Sequence, residues 1–134
     1  MAYENYAGGH PVSFPTATTG LARWRFASLS TAGNAQYSAA GGGGAVGVII
    51  DGTTGSTSVS NISVSVQMSG IAKVSAPAST VGVGQTVTAS SLGQAVPATA
   101  GDVAVGLVVA GSSGGAGRIL SVLLGTPAGS TATV

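Results

Sequence analysis

The chain has 134 residues, a net charge of +1, 5% charged residues, no cysteine and a mean hydropathy of +0.51. Without cysteine there are no disulfide staples or thiolate metal sites. So few cations give no electrostatic drive toward nucleic acid, and no apolar run approaches the roughly 18 to 20 residues of a membrane-spanning helix. One domain with a modest core is expected. Its charges are Arg23, Arg25, Lys73 and Arg118 against Glu4, Asp51 and Asp102. Such a surface has little to repel neighbouring copies or blunt exposed strand edges, so it suits a place where other protein covers it.

Residues 1–22 read as an extended N-terminal arm. Tyr3, Tyr6, His10 and Phe14 stand there among Gly8, Gly9, Pro11 and Pro15, a mixture that forms neither a helix nor a central strand. The start has no basic segment followed by an apolar one, so no secretory signal is expected. Aromatic side chains on an extended arm are suited to gripping a partner. The alternatives are an arm folded over its own domain or a frayed terminus.

A β-rich domain over 23–125 follows. The first strand is expected at Arg23 to Leu29, where alternation places Arg23 and Arg25 on one face and points Trp24 inward. Glycines 41 to 44 mark a turn before a strand at Val46 to Ile50, and Asp51-Gly52 marks the next turn. In Val59 to Met68, Ile62, Val64, Val66 and Met68 alternate with Ser63, Ser65 and Gln67, the period of a half-buried antiparallel strand. That pattern also accounts for Asn61-Ile62-Ser63, a nominal glycosylation sequon. Further strands are expected at Ile71 to Val74, Thr86 to Ala89, Val103 to Val109 and Ile119 to Leu124. Pro77 allows at most a short helix over Ala76 to Val81. No aromatic residue follows Tyr37, so the later part must pack small aliphatic side chains. Residues 126–134 read as a flexible C-terminal tail.

The strands repeat. Ala39 to Ile50 (AAGGGGAVGVII) is echoed 59 positions later by Ala98 to Val109 (ATAGDVAVGLVV), with Ala39/Ala98, Gly42/Gly101, Ala45/Ala104, Val46/Val105 and Gly47/Gly106 identical. After a slip of three residues, Ser65 to Met68 answers Ser121 to Leu124. A unit of roughly 45 residues present twice is too few copies for a solenoid. The expected fold is all-β: a small barrel or sandwich of short antiparallel strands built from two related β units.

Chemistry has little to work with. Gly42 to Gly47 satisfies G-x-G-x-x-G, but it lacks a preceding strand, a following helix and an acidic residue about 20 positions on. His10 is the single histidine, and three scattered acids make neither a catalytic constellation nor a metal-ligand set. The expectation is a protein with no enzymatic activity, no cofactor and no metal.

The runs Gly70-Ile71-Ala72-Lys73-Val74-Ser75-Ala76, Val83-Gly84-Gln85-Thr86-Val87, Gly93-Gln94-Ala95-Val96-Pro97, Ala104-Val105-Gly106-Leu107-Val108 and Ile119 to Leu124 resemble the capsid decoration (head cement) proteins of tailed bacteriophages. The likeness spans about Phe26 to Gly125. Gln85 stands where an acid is common, and the arm has no counterpart. The resemblance implies a small β-rich protein, often trimeric, seated on the outer surface of the virion head and clamping neighbouring major capsid protein subunits, with no direct contact to nucleic acid or membrane. Tyr3, Tyr6, His10, Phe14 and Trp24 are the expected partner contacts, with Arg23 and Arg25 at the rim. A surface-displayed binding module (fibre, adhesin or carbohydrate-binding domain) is the alternative. The lack of aromatic residues after Tyr37 counts against a sugar platform.

Overall fold

The computed structural model describes residues 11–17, 19–53, 62–77, 81–111 and 118–124. These form ten strands and no helix: β1 (Val12–Pro15), β2 (Arg25–Leu29), β3 (Ala35–Tyr37), β4 (Ala45–Ile49), β5 (Ser63–Gln67), β6 (Ile71–Ala76), β7 (Thr86–Ala89), β8 (Ala95–Pro97), β9 (Gly106–Ala110) and β10 (Arg118–Leu124). They assemble into two antiparallel five-stranded sheets packed together, a small β-sandwich. One sheet has the order β1-β5-β4-β2-β3 and the other β6-β10-β9-β7-β8. Each strand of the first has its counterpart five strands later.

The repeat in the sequence is therefore one whole sheet per unit, longer than the roughly 45 residues that the echo suggests. Backbone hydrogen bonds fix the equivalences. In the first unit the Ser30 N–H donates to Asn34 O (2.8 Å) and the Gly33 N–H to Ser30 O (2.9 Å); in the second, Ser90 donates to Gln94 O (2.9 Å) and Gly93 to Ser90 O (2.9 Å). Both glycines lie at positive φ, +82° and +73°, where a side chain would be strained. The pairing at the Gly-rich turn moves by one residue from the sequence reading. Gly41, not Gly42, matches Gly101, because the Gly42 N–H bonds Ala39 O as Asp102 bonds Thr99 O. Gly47 and Gly106 do correspond, so the first unit carries one extra residue between these points.

Several boundaries differ from the sequence reading. Alternation carried the first strand back to Arg23, but it begins at Arg25 because Trp24 leaves extended geometry. Ala76 is the last residue of β6 rather than the start of a helix, and residues 78–80 are outside the described part. Within the segment read as an arm, Val12–Pro15 pairs with β5 as an edge strand, a position that tolerates Pro15. The three-residue edge strands β3 and β8 are too short to show periodicity.

Each sheet curls around its own apolar cluster. Thr16 Oγ1, just beyond β1, donates to Ala35 O of β3 at 2.9 Å, joining the two edges of the first sheet. In the second, Gln94 Nε2 reaches Ser75 Oγ at 3.4 Å. Leu21, Ala27, Ala35, Ile49, Val64 and Val66 fill the first cluster, and the equivalent Val81, Val87, Ala95, Val108, Leu120 and Val122 belong to the second. The aromatic-free half does not pack alone: Phe26 and Val48, on the opposite face of the first sheet, complete its cluster. Backbone bonds stitch the junction, from Phe26 N–H to Gly93 O (2.6 Å), Ser75 N–H to Trp24 O (2.7 Å), Gly41 N–H to Ala89 O (2.9 Å) and Val103 N–H to Gly41 O (2.9 Å).

The closest strand contacts involve Gly47 and Gly106. A Cβ on Gly47 would overlap the Gln67 carbonyl, and one on Gly106 would overlap Val122 Cγ1. Overpacking of this kind costs about 1–3 kcal/mol. Gly47→Ala is expected at the upper end because backbone must move, whereas Gly43→Ala, with nothing within 4 Å of its added methyl, should fall within about 0.5 kcal/mol of the parent. Urea denaturation midpoints of the two variants check this ordering.

Candidate functional site

Two of the chain's four cations, Arg23 and Lys73, sit over the ring of Trp24. Extended alternation would have turned this ring inward, opposite Arg23 and Arg25. Trp24 instead has φ +63° and is half-buried, with the Arg23 guanidinium carbon 4.0 Å and Lys73 Nζ 5.6 Å from its ring centroid. Its backbone spans the junction: the N–H donates to Ile49 O of β4 and the C=O accepts from Ser75 of β6. That bracing from both sheets is what holds a bulky residue in a left-handed conformation, which costs roughly 1–2 kcal/mol.

Arg25 lies on the same segment. Its Nη1 donates to Leu92 O in the β7–β8 hairpin at 2.9 Å, and its guanidinium carbon sits 5.7 Å from the Tyr37 ring centroid. Arg25 Nε is a buried donor with no hydrogen-bond partner. Tyr37 in turn anchors the approach to Arg23, since Ala22 N–H donates to its hydroxyl (2.8 Å), which donates to Gly20 O (3.3 Å). Among the described residues no carboxylate pairs with Arg23 or Lys73.

The two described acids are held by turns. Asp102 Oδ2 accepts from Thr99 N–H (2.8 Å) and Thr99 Oγ1 (2.9 Å), and Asp51 Oδ1 accepts from Ser65 N–H (2.7 Å). The first is the local turn bonding expected from the sequence; the second instead ties a turn to β5. The G-x-G-x-x-G run forms a turn leading directly into β4. Phe14 is half-buried against the cluster of its own sheet. Tyr3, Tyr6 and His10 are outside the described residues, as is the tail 126–134.

A second surface was not visible in the sequence. Where the units meet, an open cleft of about 190 Å³ is lined by the repeat-related pairs Ala45/Ala104, Val46/Val105 and Met68/Leu124, together with Phe26, Gly47 and Val103; its surface is shared between apolar side chains and polar backbone atoms. Met68 and Val103 are 46% and 40% exposed. The echoed residues were legible as a repeat, but their convergence needed the packing of one sheet on the other. Among the described residues no group of three or more His, Cys, Asp or Glu is placed to hold a metal, and no helix is long and apolar enough to cross a membrane.

The repeat provides an internal reference for Trp24. Its equivalent is Gly84, at φ +90°, whose N–H makes the corresponding bond to Val108 O. Trp24→Ala keeps the left-handed penalty, whereas Trp24→Gly removes it. Thermal or urea denaturation should therefore find the glycine variant about 1 kcal/mol more stable than the alanine variant, the reverse of the order in ordinary strands.

Comparison with known proteins finds no family model and no curated relative that matches the chain.

Proposed function

We propose that this protein is a capsid decoration protein. It binds the outer surface of a phage head, as a homotrimer, and strengthens contacts between neighbouring major capsid protein subunits. The observation that carries this reading is the amount of apolar surface on a chain with so few charges. Val12, Met68, Val83, Leu92, Val103 and Leu123 are all exposed, two of them at the mouth of the cleft between units. Singly exposed apolar side chains are ordinary on a protein surface, so the weight falls on Met68 and Val103, which line one cleft together. The resemblance of the Gly/Val-rich strands to head cement proteins adds to it.

Such a protein works by additive burial. An interface of about 1,600 Å² supports specific association, and threefold repetition of a weak contact raises its overall strength through effective concentration. The Tyr3, Tyr6 and His10 segment would add aromatic contact area, while the sheets present a rigid surface whose ordering cost is already met on folding.

The test is uptake by heads assembled, without a decoration protein, from the coat protein encoded in the same genome. The intact chain should co-sediment with them. Met68→Glu should weaken uptake at least tenfold while leaving the melting temperature near that of the parent, because Met68 is half exposed. A chain lacking residues 1–10 keeps β1 and isolates the contribution of the arm. Heads that take up no protein would sink the proposal.

A further inference from the structure

We infer that Trp24 with Arg23 and Lys73 is a carboxylate-binding site, which receives an acidic segment of a protein partner. The strain is the first observation. Gly84 shows that the fold makes the same backbone bond with no side chain at this position, yet the first unit holds a tryptophan there at φ +63°. Strain that the fold does not require, on a side chain left partly exposed, points to a use for that side chain.

Charge is the second observation. Arg23 lies just before β2 and Lys73 in β6, and each cation sits over the Trp24 indole, at 4.0 and 5.6 Å from its centroid. Their distances from one centroid keep the two charges within about 10 Å of each other, the Debye length at 0.1 M salt, so they repel. The ring's negative face attracts each cation and offsets some of that repulsion. No described carboxylate neutralises them, because Asp51 and Asp102 accept hydrogen bonds elsewhere. The carboxylates of an incoming acidic segment would offset the repulsion and accept charge-assisted hydrogen bonds from the two cations. Their aliphatic stems would meet the apolar body of the ring.

An acidic protein segment fits better than a nucleic acid. The patch is short, and with a net charge of +1 the chain lacks the extended cationic track that follows a phosphate backbone. In the decoration reading, on which the identity of the partner rests, the segment belongs to the coat subunit.

Trp24 is the single tryptophan of the chain, so its fluorescence reports on this site alone. Titration of the full chain with poly-L-glutamate at low ionic strength should give a saturable change in emission. Calorimetric affinity should fall at least tenfold in Arg23→Gln/Lys73→Gln, and raising the salt should weaken binding in the parent. Lys73→Gln alone, which leaves the Arg23 stack in place, should show an intermediate loss and serves if the double variant folds poorly. An unchanged emission, an affinity indifferent to these substitutions, or tighter binding of oligothymidylate would each overturn the inference. Poly-L-glutamate binding without uptake by heads would sink the decoration reading alone. Uptake by heads that ignores Arg23→Gln/Lys73→Gln would sink this site alone.

Discussion

Two missing methyl groups govern the shape of this molecule. At Gly47 and Gly106 the chain passes so close to the neighbouring strand that a Cβ would overlap Gln67 or Val122. Pairing irregularities lie near both points, between Ala27 and Ser28 in β2–β4 and between Ser121 and Val122 in β9–β10. Bulges bend strands and increase their twist. Close approach and bending together let five short strands curl around a cluster of mostly small side chains, six buried residues in the first cluster and thirteen in the second, which a flat sheet would leave exposed. The thin core follows from that geometry as much as from composition.

The two units are alike in topology and unlike in use. The second lends its β7–β8 hairpin to the junction, where a Cβ on Gly93 would lie 2.6 Å from Phe26 O; the equivalent Gly33 has nothing within 4 Å. The first lends Phe26 to the second unit's aromatic-free cluster. At the next equivalent pair the first unit places Trp24 and the second a glycine. The repeat thus supplies two copies of one scaffold, and the departures from symmetry mark where packing between units, or contact with a partner, has different needs.

Those departures also bear on function. A chain with few charges places two of its four cations over Trp24 and leaves a cleft lined by apolar residues open between its sheets. The cleft favours contact driven by burial and the corner favours a specific carboxylate. Burial supplies most of the free energy of such associations, while charges set register and exclude wrong partners. The proposed decoration role would use both, because it requires seating at one repeated position on a lattice.

Composition and period by themselves determined the all-β class, the presence of two related units and most central strands, because alternation and glycine-marked turns are local properties of a chain. They also picked out Arg23, Trp24 and Arg25 as a distinctive run, without showing how the fold arranges them. Three-residue edge strands were beyond reach, since pairing rather than periodicity defines them. Ser30-Thr31-Ala32-Gly33 against Ser90-Ser91-Leu92-Gly93 was a readable signal for the earlier part of the repeat, at an offset of 60 rather than 59. Only the tertiary structure decided the direction of Trp24. Bonds to Ile49 of one sheet and Ser75 of the other hold it out of extended geometry, and bonds between residues so far apart in the chain leave no trace in local pattern. The cleft is tertiary for the same reason: its paired residues become neighbours only when one sheet is laid against the other.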